Sequence, residues 1–254
     1  MSVQTSEFSI PVDGSQMPAY LARPDPASGP HPAVIVLQEI FGVNKEVRRI
    51  ADLLASAGYT GLAINYYHRT HPQLNEPYDP EGMERGFAAA SKVSRETLRA
   101  DVAAAIAWLD AQDFVKAGRI ASWGFCFGGA VAFVTATLPD LAGAICFYGG
   151  SIAAPFPNGE PEGLADASQI RASLLLAYGE EDQWITAEQI ERTRDALQSA
   201  GKNFQIQVYP RVGHAFFRDS SESMDPERPQ DTQHAAVVAD AWNLVQAFLK
   251  KVFA

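Results

Sequence analysis

The strongest constraint on the fold is the alternation of two hydrophobic patterns along the chain. Segments such as "HPAVIVL" and "ASLLLAY" are continuous apolar runs, which are typical of strands buried on both faces. Between such runs lie amphipathic segments, for example "VRRIADLLASAG" and "TAEQIERTRDALQSAG", which indicate helices. Strands that alternate with helices predict a parallel sheet with helices on both of its faces.

The ends and interruptions of this pattern predict the domain organisation. Two alternating segments, "EFSIPV" and "MPAYLARP", flank "DGSQ" near the N-terminus and predict an antiparallel hairpin. A final helix is expected from about Asp231 to Phe253. Because no linker or internal repeat divides the chain, we expect a single domain over residues 1–254. The longest interruption, residues 68–93, is a candidate lid or pocket wall.

Composition excludes several classes of function. The formal net charge is −10, with scattered acidic residues, which argues against a nucleic-acid partner. No apolar window is long enough for a membrane span, and the first residues lack the pattern of a secretory signal. The only cysteines, Cys126 and Cys146, lie in apolar segments and fit a reducing compartment. We therefore expect a cytoplasmic protein without a membrane partner.

The stretch "WGFCFGG" at residues 123–129 places a cysteine between glycines. It directly follows a predicted strand and precedes a predicted helix. This context indicates a nucleophile elbow, a sharp turn that would present Cys126 at the edge of the sheet. The stretch alone is equally compatible with a buried cysteine in a glycine-rich crossover, since free cysteines are often buried.

Two further residues follow later strands in the order that a catalytic triad requires. Asp182 comes after the strand "ASLLLAYG", and His214 comes after the strand "NFQIQVYP". A lone histidine or acid in a loop is usually just solvated. An acid and a histidine that follow a nucleophile elbow, each at the end of a strand, instead predict a triad with Cys126.

The remaining candidates are weaker. His68 and His71 have a spacing that could suit a metal ion, but no third ligand accompanies them, so we interpret both as solvated loop residues. The sequence therefore predicts no metal and no cofactor. Tyr148 and Trp184 lie at strand ends and are candidates for the pocket lining.

Four motifs together resemble the dienelactone hydrolase family of α/β-hydrolases, whose members are also called carboxymethylenebutenolidases. They are "QEIFGVN" at 38–44, "GFCFGG" at 124–129, "GEED" ending at Asp182, and "GHAFFR" at 213–218. The resemblance extends over nearly the whole chain. It implies the α/β-hydrolase fold, in which a mostly parallel, twisted sheet carries helices on both faces and the N-terminal antiparallel hairpin.

The resemblance also implies roles for individual residues. It makes Cys126 the nucleophile, with Asp182 and His214 as its triad partners. It has Glu39 pair with the resting thiol. Two backbone N–H groups would form the oxyanion hole, namely those of Ile40 and Phe127.

In this family, two arginines hold the carboxylate of the substrate. Arg218 falls where one of them is expected, and Arg85 is the better match for the other, with Arg69 as the alternative. The sequence departs from the family nearby, because Ala89 stands where an aromatic residue is expected. This departure puts a dienelactone substrate in doubt.

The resulting expectation is a monomeric, cofactor-free hydrolase that opens a lactone or small ester bearing a carboxylate, through a thioester on Cys126. Two alternatives remain open from the sequence. One is a related esterase or thioesterase with a different pocket. The other is a non-catalytic, redox-responsive module on the same fold.

Overall fold

The structure is a computed structural model that describes residues 3–25, 29–219 and 232–254. Within these ranges, eight strands form one sheet. The strands are β1 (Gln4–Val12), β2 (Ser15–Arg23), β3 (His31–Leu37), β4 (Thr60–Ile64), β5 (Val115–Phe125), β6 (Gly143–Phe147), β7 (Ser173–Gly179) and β8 (Phe204–Tyr209).

The strands follow the order β1-β2-β4-β3-β5-β6-β7-β8 across the sheet. β1 pairs antiparallel with β2, and β2 pairs antiparallel with β4. All other neighbours in the sheet are parallel. This confirms the predicted fold class, including the N-terminal hairpin. The carboxyl ends of β3, β5, β7 and β8 consequently lie at one edge of the sheet, where ligands bind in α/β folds.

Six α-helices accompany the sheet in the described ranges. They are α1 (Lys45–Ser56), α2 (Pro80–Ala90), α3 (Arg95–Asp110), α4 (Phe127–Thr135), α5 (Ala187–Ser199) and α6 (Thr232–Val252). The predicted final helix is thus present, although Asp231, its expected first residue, lies outside the described residues. Two 3₁₀ helices, Gly150–Ile152 and Gly163–Gln169, occupy the stretch between β6 and β7.

The interruption at residues 68–93 contains α2, a helix that the hydrophobic pattern of the sequence does not predict. Asp79 caps it by accepting a hydrogen bond from the Gly82 N–H, and a proline occupies the first helical turn. Gly86 packs this helix against the loop after β3: a Cβ atom at that position would lie 2.8 Å from the Ile40 carbonyl oxygen. The segment therefore forms a helical wall beside the end of β3.

The core lies in the central strands. Residues 33–37 of β3, all of β4 and all of β6 are buried, and Cys146 within β6 has no exposed surface. Burial raises the pKa of the Cys146 thiol, which makes it an inert core residue. In the described ranges, no helix combines the length and the apolar character needed to cross a membrane.

Candidate active site

The elbow predicted at Cys126 is a sharp turn between β5 and α4. Cys126 has a φ of 52° and a ψ of −116°, a backbone conformation that non-glycine residues rarely adopt. The residues two positions before and two positions after it must be glycines. A Cβ atom on Gly124 would collide with the Gly128 carbonyl, and one on Gly128 would collide with the carbonyls of Leu37 and Gln38. The glycines thus let the turn lie directly against the end of β3.

Asp182 and His214 meet at the ends of β7 and β8. The His214 Nδ1 atom lies 2.8 Å from the Asp182 Oδ2 atom. The other oxygen, Oδ1, accepts hydrogen bonds from the backbone N–H groups of Trp184, at 2.8 Å, and Ile185, at 3.1 Å. The Asp182 side chain has no exposed surface, so both of its oxygens are held in place. This carboxylate can orient the imidazole.

The imidazole of His214 lies between this carboxylate and Cys126. Burial alone would lower the pKa of His214, but the charge and hydrogen bonding of the Cys126 sulfur and of Asp182 raise it to about 10. The ring of Tyr148 packs edge-on against the imidazole, with their centroids 5.1 Å apart. The structure therefore brings together the three residues of the predicted triad, and charge on the Cys126 sulfur and on Asp182 stabilises the imidazolium once His214 takes up a proton.

Glu39 forms a buried ion pair with Arg218. The Arg218 Nη2 atom donates to the Glu39 Oε1 atom at 2.7 Å, and both side chains are almost fully buried. No hydrogen bond joins the second carboxylate oxygen to the thiol of Cys126 in the described part of the chain. The structure thus differs from the expectation that Glu39 pairs with the thiol. A guanidinium is a charged, bidentate donor, whereas a thiol is a weak one, so the buried carboxylate pairs with the arginine.

Arg218 is also held by aromatic rings. Its guanidinium lies over the ring of Tyr78, 3.8 Å from the centroid, and 5.7 Å from the centroid of Phe41. Burial by itself would lower the pKa of Arg218, but Glu39 and other neighbours have a larger, opposite effect, so the net shift of the pKa is upward and the group stays charged. Neither ring was singled out from the sequence, because nothing in the local pattern shows that Tyr78 returns to the end of β3.

A small cavity adjoins the ion pair. Its volume is about 10 Å³, which is room for about one water molecule. Besides the ion pair, Glu46, Phe125 and Tyr148 are among the residues that line it. This space is too small for an ester substrate. Cys126, by contrast, is an only partly buried residue.

The two candidates for the second substrate-binding arginine are engaged elsewhere. Arg85 projects from α2 with half of its side chain exposed, and it pairs with Glu76 at 2.7 Å and more loosely with Glu81. Arg69 pairs with the buried Asp101 at 2.8 Å. The structure brings neither arginine to Arg218 in this state. The sequence spacing that suggested Arg85 does not take account of which face of a helix the residue lies on, and the face of α2 that carries Arg85 points to solvent.

His68 corrects one interpretation made from the sequence. It is buried rather than solvated: its Nε2 atom lies 3.0 Å from Asp101 Oδ1, and its Nδ1 atom lies 2.9 Å from Ser15 Oγ. His71 does lie at the surface, where it contacts Thr70. Among the residues that the structure describes, no three His, Cys, Asp or Glu side chains form a group able to hold a metal ion.

Aromatic side chains border the triad. Trp184, a candidate from its position at a strand end, has its ring centroid 6.3 Å from that of His214 and 6.1 Å from that of Phe87. The sequence does not mark Phe87 as a residue near the site, because its hydrophobic pattern does not predict α2. The buried Tyr66 lies near the start of α4, where its ring centroid is 6.0 Å from that of Phe127 and its hydroxyl donates to the Gln38 carbonyl.

A mostly parallel sheet in this strand order, with an elbow after β5 and a histidine–carboxylate pair after β7 and β8, defines the class of the protein as an α/β-hydrolase. Comparison with known families makes the assignment narrower. The sequence pattern of the Dienelactone hydrolase family matches residues 17–253, and the chain belongs to that family. It is a dienelactone hydrolase-like enzyme of the carboxylic ester hydrolase class.

Individual relatives agree with this assignment. A Synechocystis sp. protein, provisionally named carboxymethylenebutenolidase, is 33% identical over 97% of this chain and 96% of its own length. An Escherichia coli protein with the same provisional name is 34% identical over 96% of this chain and 85% of its own length. The crystal structure of a provisionally named dienelactone hydrolase from Klebsiella pneumoniae has 31% identity and a TM-score of 0.84, and the match covers 98% of this chain and 99% of that one.

Proposed function

We propose that this protein is a cysteine-dependent hydrolase that opens a lactone or small ester through a thioester on Cys126. The observation that supports this most strongly is the position of His214, which lies between the Asp182 carboxylate and a cysteine at a nucleophile elbow. A base that contacts the nucleophile and is oriented by a third group is the arrangement that nucleophilic catalysis needs.

In the first half of the reaction, the Cys126 thiol gives its proton to His214, and the sulfur attacks the carbonyl carbon of the ester. The developing oxyanion accepts hydrogen bonds from the backbone N–H groups of Ile40 and Phe127. Phe127 is the first residue of α4, so its N–H is one of those that no carbonyl within the helix accepts. The carbon–oxygen bond then breaks, and the leaving alkoxide takes the proton from His214.

In the second half, water hydrolyses the thioester. His214 takes a proton from the water as it attacks the acyl carbon, and the same two N–H groups stabilise the second oxyanion. The carbon–sulfur bond breaks, the acid product leaves, and the thiol regains its proton from the imidazolium. Asp182 holds the ring in one orientation throughout. Every group that these steps require belongs to the chain, the substrate or water.

A carboxylate on the substrate would bind Arg218. Because Arg218 already pairs with Glu39, an anionic substrate has to compete with that carboxylate. The second candidate function is a related esterase with a different pocket, and the exposed position of Arg85 favours it, because one arginine rather than two is available.

Turnover by the Cys126→Ala variant tests the central proposal. We expect kcat/KM for phenyl acetate and for dienelactones to fall by about 10³-fold or more, because the covalent route is lost. Cys146→Ala is the matched control, since it removes the other cysteine from the core without touching the site. Undiminished turnover by Cys126→Ala would refute the mechanism. Reversible oxidation of Cys126 without acylation would favour the redox-responsive alternative.

The carboxylate site is tested separately with Arg218→Lys and Arg218→Ala. We expect both variants to lose more activity toward anionic esters than toward neutral esters of similar size. Arg218→Lys keeps a positive charge beside Glu39, and so retains the fold even if the alanine variant, which leaves a buried carboxylate unpaired, does not. An equal loss on both kinds of ester in the lysine variant would exclude Arg218 as the carboxylate ligand.

A further inference from the structure

Two large hydrophobic side chains are exposed in the described part of the chain, Phe87 at 41% and Trp184 at 52%. They come from different elements, α2 and the loop after β7, yet their ring centroids are 6.1 Å apart. Single exposed apolar residues are ordinary on protein surfaces. Two that meet beside the histidine of the candidate site indicate a surface for an apolar ligand.

Trp184 is fixed by the same carboxylate that orients the histidine. Its backbone N–H donates to Asp182 Oδ1 at 2.8 Å, and its ring centroid lies 6.3 Å from that of His214. The indole therefore has a defined place next to the imidazole, although half of its surface is open to solvent.

Phe87 is fixed from the opposite side of the site. The residue before it, Gly86, is buried against the loop after β3, where an added Cβ atom would lie within 3.0 Å of the Ile40 side chain. This contact packs α2 against the loop that contains Ile40, the residue proposed to supply an oxyanion N–H, and Phe87 is the next residue of that helix. The contact between the two rings thus joins α2, which packs on the Ile40 loop, to the loop that contains Asp182 and Trp184.

The charged part of the site is enclosed, in contrast. Arg218 is 7% exposed and already paired with Glu39, and the cavity next to them has room for about one water molecule. The exposed surface beside His214 is therefore aromatic, whereas the cationic group of the site is enclosed.

We propose that Phe87 and Trp184 form an aromatic subsite that binds an aromatic ring of the substrate. The inference rests on the proposed ester hydrolysis for its chemistry and adds the class of substrate. A planar group can lie against both rings, and each aromatic contact of this kind changes affinity by about twofold to tenfold beyond simple burial. An aliphatic group of similar size lacks that gain.

Matched esters test the subsite. Phenyl acetate and ethyl acetate share the acetyl group and differ in the planarity of the alcohol. We expect Phe87→Ala and Trp184→Ala each to lower the ratio of kcat/KM for phenyl acetate to that for ethyl acetate about threefold to tenfold, mainly through KM. Phe87→Tyr and Trp184→Phe keep an aromatic ring and should retain most of the ratio. An unchanged ratio in both alanine variants would overturn the proposal.

The outcome can be separated from failure of the proposed function. If the parent protein hydrolyses both acetates and Cys126→Ala does not, the mechanism stands whatever the ratio does. A readout without turnover is the binding of acetophenone compared with 2-butanone, followed by NMR of the ligand. We expect the preference for acetophenone to fall in both alanine variants, and an unaltered preference would count against the subsite.

Discussion

Asp182 uses both of its oxygens, and this determines which proton His214 can carry. Oδ1 accepts two backbone N–H groups and Oδ2 faces His214 Nδ1. The carboxylate therefore requires a hydrogen on Nδ1 and leaves Nε2 as the nitrogen of the proposed base. A single residue thus determines the tautomer as well as the orientation of the ring.

The Asp182→Asn variant should reverse that tautomer. The amide oxygen would keep the two backbone N–H donors, and its NH₂ group would face Nδ1. The hydrogen of the imidazole would move to Nε2, and a protonated Nε2 cannot accept the thiol proton. We expect kcat/KM to fall about 10⁴-fold with little change in Tm. An activity near that of the parent, in a folded variant, would contradict the assigned role.

The raised pKa of His214 predicts how stability depends on pH. Its pKa of about 10 lies above the unfolded value of about 6.5. The linked stabilisation is therefore complete below about pH 6.5 and is lost as the pH rises toward about 10. Cys126→Ala removes the largest cause of the elevation, so its free energy of unfolding should decline less over this range. Urea denaturation of both proteins measures the difference, and parallel curves would refute the coupling.

At this scale, the sequence predicted that the three triad residues meet, but it did not predict the partner of Glu39. Cys126, Asp182 and His214 were identifiable because each follows a strand that the hydrophobic pattern marks. The pairing of Glu39 with Arg218 depends on the direction of two side chains whose residues lie far apart in the chain, and the local pattern contains no information about it.

At the scale of elements, the elbow depends on the close approach of α4 to the end of β3. Gly128→Ala would place a methyl group against the carbonyls of Leu37 and Gln38. We expect a loss of about 1–3 kcal/mol in the free energy of unfolding, together with reduced activity, because the loop that contains Ile40 must shift. Gly150→Ala is the control, since that position has open space. Equal effects of the two substitutions in urea denaturation would contradict this account.

A buried polar chain connects the N-terminal hairpin to α3. His68 bridges Ser15 at the start of β2 and Asp101 in α3. His68→Ala removes both bonds and should lower the free energy of unfolding by about 1–3 kcal/mol. His71→Ala, at the surface, should change it by less than about 0.5 kcal/mol. Similar small changes in both variants would show that the buried chain contributes nothing.

The elements differ in how readily the sequence reveals them. The start of α5 is visible in the sequence as "TAEQ", and in the structure Thr186 and Gln189 form the capping box that this pattern indicates. The same kind of signal, Asp79 followed by Pro80, marks the start of α2, but that helix is short and its apolar face is interrupted by glycines. The burial of His68 could not be predicted, because it depends on where the hairpin packs.

At the scale of the whole molecule, the order of the strands creates the site. β5 lies in the middle of the sheet, with β3 on one side and β6, β7 and β8 on the other. The loops after these strands therefore bring Cys126, Asp182, His214 and the proposed oxyanion donors to one edge. The alternating hydrophobic pattern predicted this architecture because a parallel sheet requires it, whereas the shape of the pocket depends on α2 and on single rotamers.

The central claim is that Cys126 becomes acylated during turnover. Rapid quenching of the protein with phenyl acetate, followed by intact-mass analysis and peptide mapping, measures this directly. The account predicts one acetyl group per chain, located on Cys126 and absent from the Cys126→Ala variant. Acetylation at another residue, or turnover by the parent protein and the variant alike with no acylation of Cys126, would contradict it.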